Sequence, residues 1–102
     1  MSDRVHHAAA LLRLHLPGAD SLKDRRAHLQ RVRRSLVDEL GCSVAEVGGS
    51  DTWRTAVLGV AVAAGDATGV QRVVERLVPV AERDPGVVAR LDAVRHDTLD
   101  AE

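Results

Sequence analysis

The sequence predicts an α+β domain, a four-stranded antiparallel sheet with two helices packed on one of its faces. Three observations carry that expectation. Apolar alternation of period two and apolar stripes at helical spacing follow one another in the order β-α-β-β-α-β. Turn pairs separate them at Pro17-Gly18, Gly48-Gly49 and Pro85-Gly86. A chain of 102 residues with 45% apolar content suits one domain and one core.

The first strand is read over Ala8 to Leu16, AAALLRLHL, where Leu12, Leu14 and Leu16 alternate with Arg13 and His15. Ser21 is then an N-cap, with Asp24 three residues on completing a capping box. The helix behind it places Leu22, Leu29, Val32, Leu36 and Leu40 on one stripe, and Gly41 ends it. CSVAEV at 42–47 and WRTAVLGVAVA at 53–63 read as a hairpin across the Gly48–Thr52 turn. Asp66 caps a second helix with the stripe Val70, Val73, Val74, Leu77 and Ala81, which Pro79 should kink or end near Val78. The last strand is read over 87–95. With right-handed crossovers this order is the ferredoxin-like sandwich, and one sheet face stays open. The expected organisation is a flexible N-terminus at 1–7, a single domain at 8–96 and an acidic, fraying tail at 97–102.

Composition narrows the function. With no Phe, no Tyr and one Trp, the core must be built of Val, Leu and Ala, which bury less area each than aromatics. A thin two-layer domain that gains stability as a homodimer is the expectation. The single Cys42 excludes an intramolecular disulfide and a Cys-based metal cage. The polar start MSDRVHH does not read as a signal peptide, and no apolar run approaches membrane-spanning length, so the expected location is cytoplasmic.

Three segments, LHLPGADSLKDRR at 14–26, SVAEVGGSDTW at 43–53 and AVLGVAV at 56–62, together resemble the YlxP-like family of small bacterial proteins, a domain of unknown function. The resemblance runs from about Leu11 to Glu82 and implies a ferredoxin-like fold. The family's genes often lie beside translation and ribosome-maturation genes, which implies an RNA or ribosome connection, and it offers no catalytic residues to carry across. Cys42 where Val is common, Pro79, and the His6-His7 pair depart from its pattern.

The strongest functional lead is SLKDRRAHLQRVRR at 21–34, which holds six of the chain's 14 Lys and Arg while the whole chain carries a net charge of −1. Lys23, Arg25 and Arg26 sit in the first helical turn, where backbone N–H groups favour anions, though Asp24 or Asp51 can fill that place instead. Lys23, Arg31 and Arg34 lie opposite the Leu stripe, and Arg26 and Arg33 border it. Lys23, Arg25, Arg26, Arg31 and Arg34 are therefore the expected anion- or RNA-binding residues. Trp53 is the single aromatic, so RNA would be met through backbone and shape, not base stacking.

The alternative is a homodimer of the dimeric-barrel type that binds or transforms a small anionic ligand on the open face. If Gly48 pairs with Trp53, then Arg13, His15, Glu46, Trp53 and Thr55 cluster there, with Val44 and Val57 supplying apolar surface. Catalytic candidates are weak: His15 and Glu46 as base and partner, Cys42 as nucleophile without a nearby activating residue. No cofactor and no metal site is expected, because His6-His7 alone does not make one.

Overall fold

The computed structural model describes residues 3–49 and 52–101. Its elements are β1 (Asp3–His15), α1 (Leu22–Leu40), β2 (Ser43–Gly48), β3 (Thr55–Ala64), α2 (Ala67–Ala81) and β4 (Val88–Ala101). The strands lie in the order β2-β3-β1-β4, each antiparallel to its neighbours, which is the ferredoxin-like arrangement. No helix among the described residues is long and apolar enough to cross a membrane.

Local sequence explains the helices. The Ser21 hydroxyl accepts from the Asp24 N–H at 3.1 Å, and the Asp24 carboxylate reaches back to the Asp20 N–H at 3.1 Å. Gly41 closes α1 at φ 66°, donating to the Val37 carbonyl. Asp66 caps α2 through the Gly69 N–H. Pro79 does not stop α2 at Val78. The helix runs on to Ala81, because a proline in the last turn removes only one bond of a ladder that is ending anyway.

The core lies between the sheet and the helices. Ala8, Ala10, Leu12, Leu14 and Leu16 point inward from the first strand and the residue after it, against Ala56, Leu58, Val60 and Val62 of β3. Val32 and Leu36 of α1 and Val70, Val74 and Leu77 of α2 close it from above. Leu22, expected on the buried stripe, is half exposed, and Arg25 is buried in that part of the helix instead.

The outer strands run further than their sequences suggest. β1 begins at Asp3 and β4 continues to Ala101, pairing in register from Asp3↔Ala101 through Val5↔Leu99, in place of the loose N-terminus and fraying tail expected. Beyond His6, which pairs with Ala64, β3 has ended and the ribbon has only two strands. A ribbon with both faces wet carries no burial period to read, so cross-strand partners such as the Arg4–Asp100 ion pair hold it. A bulge opposite Leu11 inserts Asp92 into β4: Leu11 pairs with Ala93 and Leu12 with Leu91.

Candidate functional site

The basic segment of α1 divides into engaged and unengaged cations. Arg25 is 6% exposed, and its guanidinium bridges to the Glu46 carboxylate and donates to the Thr55 carbonyl at 3.1 Å. It joins α1 to β2 and β3 and has no face left for a partner, which corrects its expected binding role. Arg31 is exposed but donates to Asp84 at 3.0 Å. Arg33 donates to the Val44 carbonyl at 2.7 Å, so its charge is not neutralised. Lys23, Arg26 and Arg34 are exposed and form no ion pair among the described residues.

Between α1 and the edge strand β2 runs a groove of about 650 Å³. Leu29, Val44 and Leu58 line it apolarly, Arg26 and Arg33 border it, and Arg25–Glu46 crosses its floor. The first turn of α1 offers less than the sequence suggested. The Asp24 N–H is already bonded to Ser21 and the Asp24 carboxylate sits over the Asp20 N–H. Asp51, the other group expected to fill that place, lies outside the described residues.

The open-face cluster does not assemble. Glu46 pairs with Leu58 and Gly48 with Val57, with a register shift between them, where the expected hairpin set Glu46 opposite Thr55. Paired residues share a face, so Glu46 lies on the helix side with Leu58, where Arg25 meets it. Val44, opposite Val60, is buried on that side too. Trp53 lies half exposed in the turn before β3 and is not part of the strand. His15 does face outward, exposed beside its partners Thr55 and Val88, and its ring forms no hydrogen bond or ion pair among the described residues. The Thr55 hydroxyl bonds instead to the Gly49 carbonyl at 3.0 Å. Arg13 sits on the open face as expected, but Asp92 at the bulge neutralises it at 2.6 Å, and Arg90 donates to the same carboxylate at 2.8 Å. Those two arginines hold Asp92 below the usual carboxylate range. What the open face presents is a shallow trough of about 630 Å³ built of small residues, Ala9, Ala45, Gly59, Ala61 and Ala93, with Leu11.

Cys42 is buried, and burial pushes its thiol up from the ordinary value. Its Sγ donates to the Leu36 carbonyl at 3.3 Å, the environment of a packing residue and not of an activated thiolate. His6 and His7 are consecutive in β1 and point to opposite sheet faces, so they cannot hold one ion together. No group of three or more metal-ligating side chains occurs among the described residues.

One cluster was missed by sequence reasoning. Asp84, its side chain 7% exposed, accepts from His28 at 2.7 Å, Arg31 at 3.0 Å and the Gly86 N–H at 2.9 Å. Burial alone would raise this carboxyl, but the three hydrogen bonds outweigh it and hold it below its ordinary value. The Asp84-Pro85-Gly86 run signalled a turn, and nothing in it announced partners 53 to 56 positions away.

Residues 8–93 match the family model described as Protein of unknown function (DUF503). The chain belongs to that family. A comparison with curated proteins finds no match. Among solved structures, the intact alpha subunit of aIF2 from Pyrococcus abyssi is similar at 16% identity and TM-score 0.54, over 87% of this chain and 34% of that one. The protein YJCS is similar at 11% identity and TM-score 0.48, over 91% and 96% of the two chains. SnoaB, a cofactor-independent oxygenase from Streptomyces nogalater, is similar at 14% identity and TM-score 0.47, over 98% and 94%. At these identities the likeness concerns the fold.

Proposed function

We propose that this protein is a small non-catalytic module that binds structured RNA through the exposed side of α1. One contrast carries the reading. Arg4, Arg13, Arg25, Arg31, Arg54, Arg83 and Arg90 each face a carboxylate, whereas of the seven cations that form no ion pair among the described residues four, Lys23, Arg26, Arg33 and Arg34, gather on α1, against Arg72 and Arg76 on α2 and Arg95 on β4. From Lys23 to Arg34 a helix rises about 16 Å, enough for several phosphates of one RNA strand. In a chain of net charge −1 this is a local field, suited to docking at one place and not to coating nucleic acid. The likeness to YlxP-like proteins, with their translation-gene neighbourhood, supports the same direction.

Fluorescence anisotropy with a labelled RNA hairpin across a salt series tests this. Four cations on phosphates give a slope of log affinity against log salt on the order of −3. Lys23→Glu with Arg34→Glu should remove binding, while Arg90→Glu, already paired with Asp92 on the opposite edge strand, should leave it largely intact. Unchanged affinity in the double variant, or no binding at low salt, sinks the proposal.

The alternative, an anionic ligand on the open face, is weakened by what the trough is made of. Its lining is almost wholly Ala, Gly, Val and Leu, with Arg95 its one cation, and His15 and Trp53 lie outside it. An anion bound there would lose its hydration against methyl groups.

A further inference from the structure

We propose that the free edge of β4 pairs antiparallel with the same strand of a second copy, centred on His96, making a continuous eight-stranded sheet. β4 is an outermost strand, and Ala93–Ala101 are all exposed. The Leu16 N–H donates toward β3, to the Arg54 carbonyl at 2.8 Å, so by alternation His6 also faces β3 and its β4 partner Thr98 turns its N–H away from β1, to the free edge. That N–H donates to the Asp97 carboxylate at 2.8 Å. By alternation, Val94, His96 and Thr98 all offer their N–H and C=O groups outward. Antiparallel pairing of a strand with its own copy about a two-fold axis must set one residue opposite itself.

Charge selects which residue that is. Most charges on β4 are satisfied within their own copy: Arg90 and Asp92 with each other, Asp92 also with Arg13, and Asp100 with Arg4. Arg95 and Asp97 form no ion pair among the described residues. Centring on Arg95 or on Asp97 opposes like charges. Centring on His96 opposes Arg95 with the partner's Asp97 and Asp97 with the partner's Arg95, while Ala93 meets the partner's Leu99, a side chain left 66% exposed in the single copy. These are the non-hydrogen-bonded pairs of the ladder, where side chains approach most closely. On pairing, the Thr98 N–H exchanges the Asp97 carboxylate for a backbone carbonyl, and that carboxylate turns to arginine. Centring on Val94 or Thr98 would set Arg95 opposite the partner's Ala93 or the partner's Ala101 and leave both charges unpaired. Of the centres this edge offers, His96 alone sets Arg95 against the partner's Asp97.

The strand order places β2, with α1 packed on it, at the other edge, so the two proposed RNA-binding helices lie at the outer ends of the joined sheet and this inference does not depend on them. Sedimentation equilibrium of the full chain should give a dimer with Kd below about 1 mM. Arg95→Asp alone and Asp97→Arg alone should each weaken it at least tenfold, and the two changes together should restore it, because the swapped charges again oppose. His96→Cys should form an intermolecular disulfide on mild oxidation, since self-opposed residues stand about 5.5 Å apart at Cα. A protein monomeric throughout, or a dimer indifferent to the single charge changes as a face-to-face dimer would be, overturns the proposal.

Discussion

Arg25 of α1 and Glu46 of β2 form an ion pair beneath the groove between these elements, and the same guanidinium caps the Thr55 carbonyl at the start of β3. One side chain thus ties the first helix to the hairpin. It also moves two residues from the functional column to the structural one. Arg25 is not a free cation of the basic segment, and Glu46 does not belong to the open face.

Arg25→Met should therefore cost about 2 kcal/mol, from the orphaned Thr55 carbonyl and the lost charge-assisted bond. Glu46 is more than a third as exposed as a free side chain and can turn to water, so Glu46→Gln should cost less. Urea unfolding of both variants checks the order, and neither should change RNA affinity beyond its effect on folding.

Asp84 should give the fold a measurable pH dependence. Its folded pKa lies below the ordinary value of 3.8, so the stabilisation it brings is fully present above that value and is lost as pH falls through the depressed one. At neutral pH Asp84→Asn should be less stable than wild type by about 2 kcal/mol. The gap should narrow below roughly pH 4, where the wild-type carboxyl also protonates. A gap that stays constant to pH 2 would show that the shift is absent.

Gly49 has φ 75°, and a Cβ there would meet the Ala56 Cα at 2.8 Å. Gly49→Ala thus combines left-handed strain with a clash against backbone that cannot swing aside. It should lower stability by about 2 kcal/mol or more and disturb the Thr55–Gly49 bond. Gly18, with open space around its position, should accept alanine at little cost, and thermal unfolding of the two compares them directly.

Cys42 should react slowly with a thiol reagent while the chain is folded, at a rate that rises with denaturant, because its thiol is buried and its pKa raised. Rapid native-state labelling at neutral pH would reopen the nucleophile reading. Cys42→Val should keep stability within about 1.5 kcal/mol, as a near volume-conserving change in a core of Val and Leu.

The sequence was most informative where one residue's environment follows from its near neighbours. Ser21 and Gly41 announced the ends of α1 because caps are short-range devices, and both act as expected, while the Asp24 carboxylate takes the N–H of Asp20, one residue before the cap, in place of the Ser21 N–H of a capping box. Leu12, Leu14 and Leu16 announced the buried face of β1 because alternation registers a single wet side. Legibility failed where a distant partner decides. The hairpin register could not be read from the Gly48–Thr52 run of turn residues. A shift between Glu46 and Gly48 reverses the face on which Glu46 lies. The basic helix was legible as a run of charges, but which of them were already spoken for was not, since Asp84, Glu46 and the Val44 carbonyl arrive from other elements.

By itself, then, the sequence determined the element order, the two helix caps, the aliphatic composition of the core and the wet side of α1, all consequences of periodicity and local backbone chemistry. Tertiary structure alone decided that Arg25 is buried, that Asp84 gathers His28 and Arg31, that β1 and β4 run on as a two-stranded ribbon, and that Arg95 and Asp97, on a free edge, form no ion pair among the described residues. The physical reason is common to all four. Charge pairing and strand pairing depend on which groups the folded backbone brings within a few ångströms, and sequence separation carries no measure of that distance.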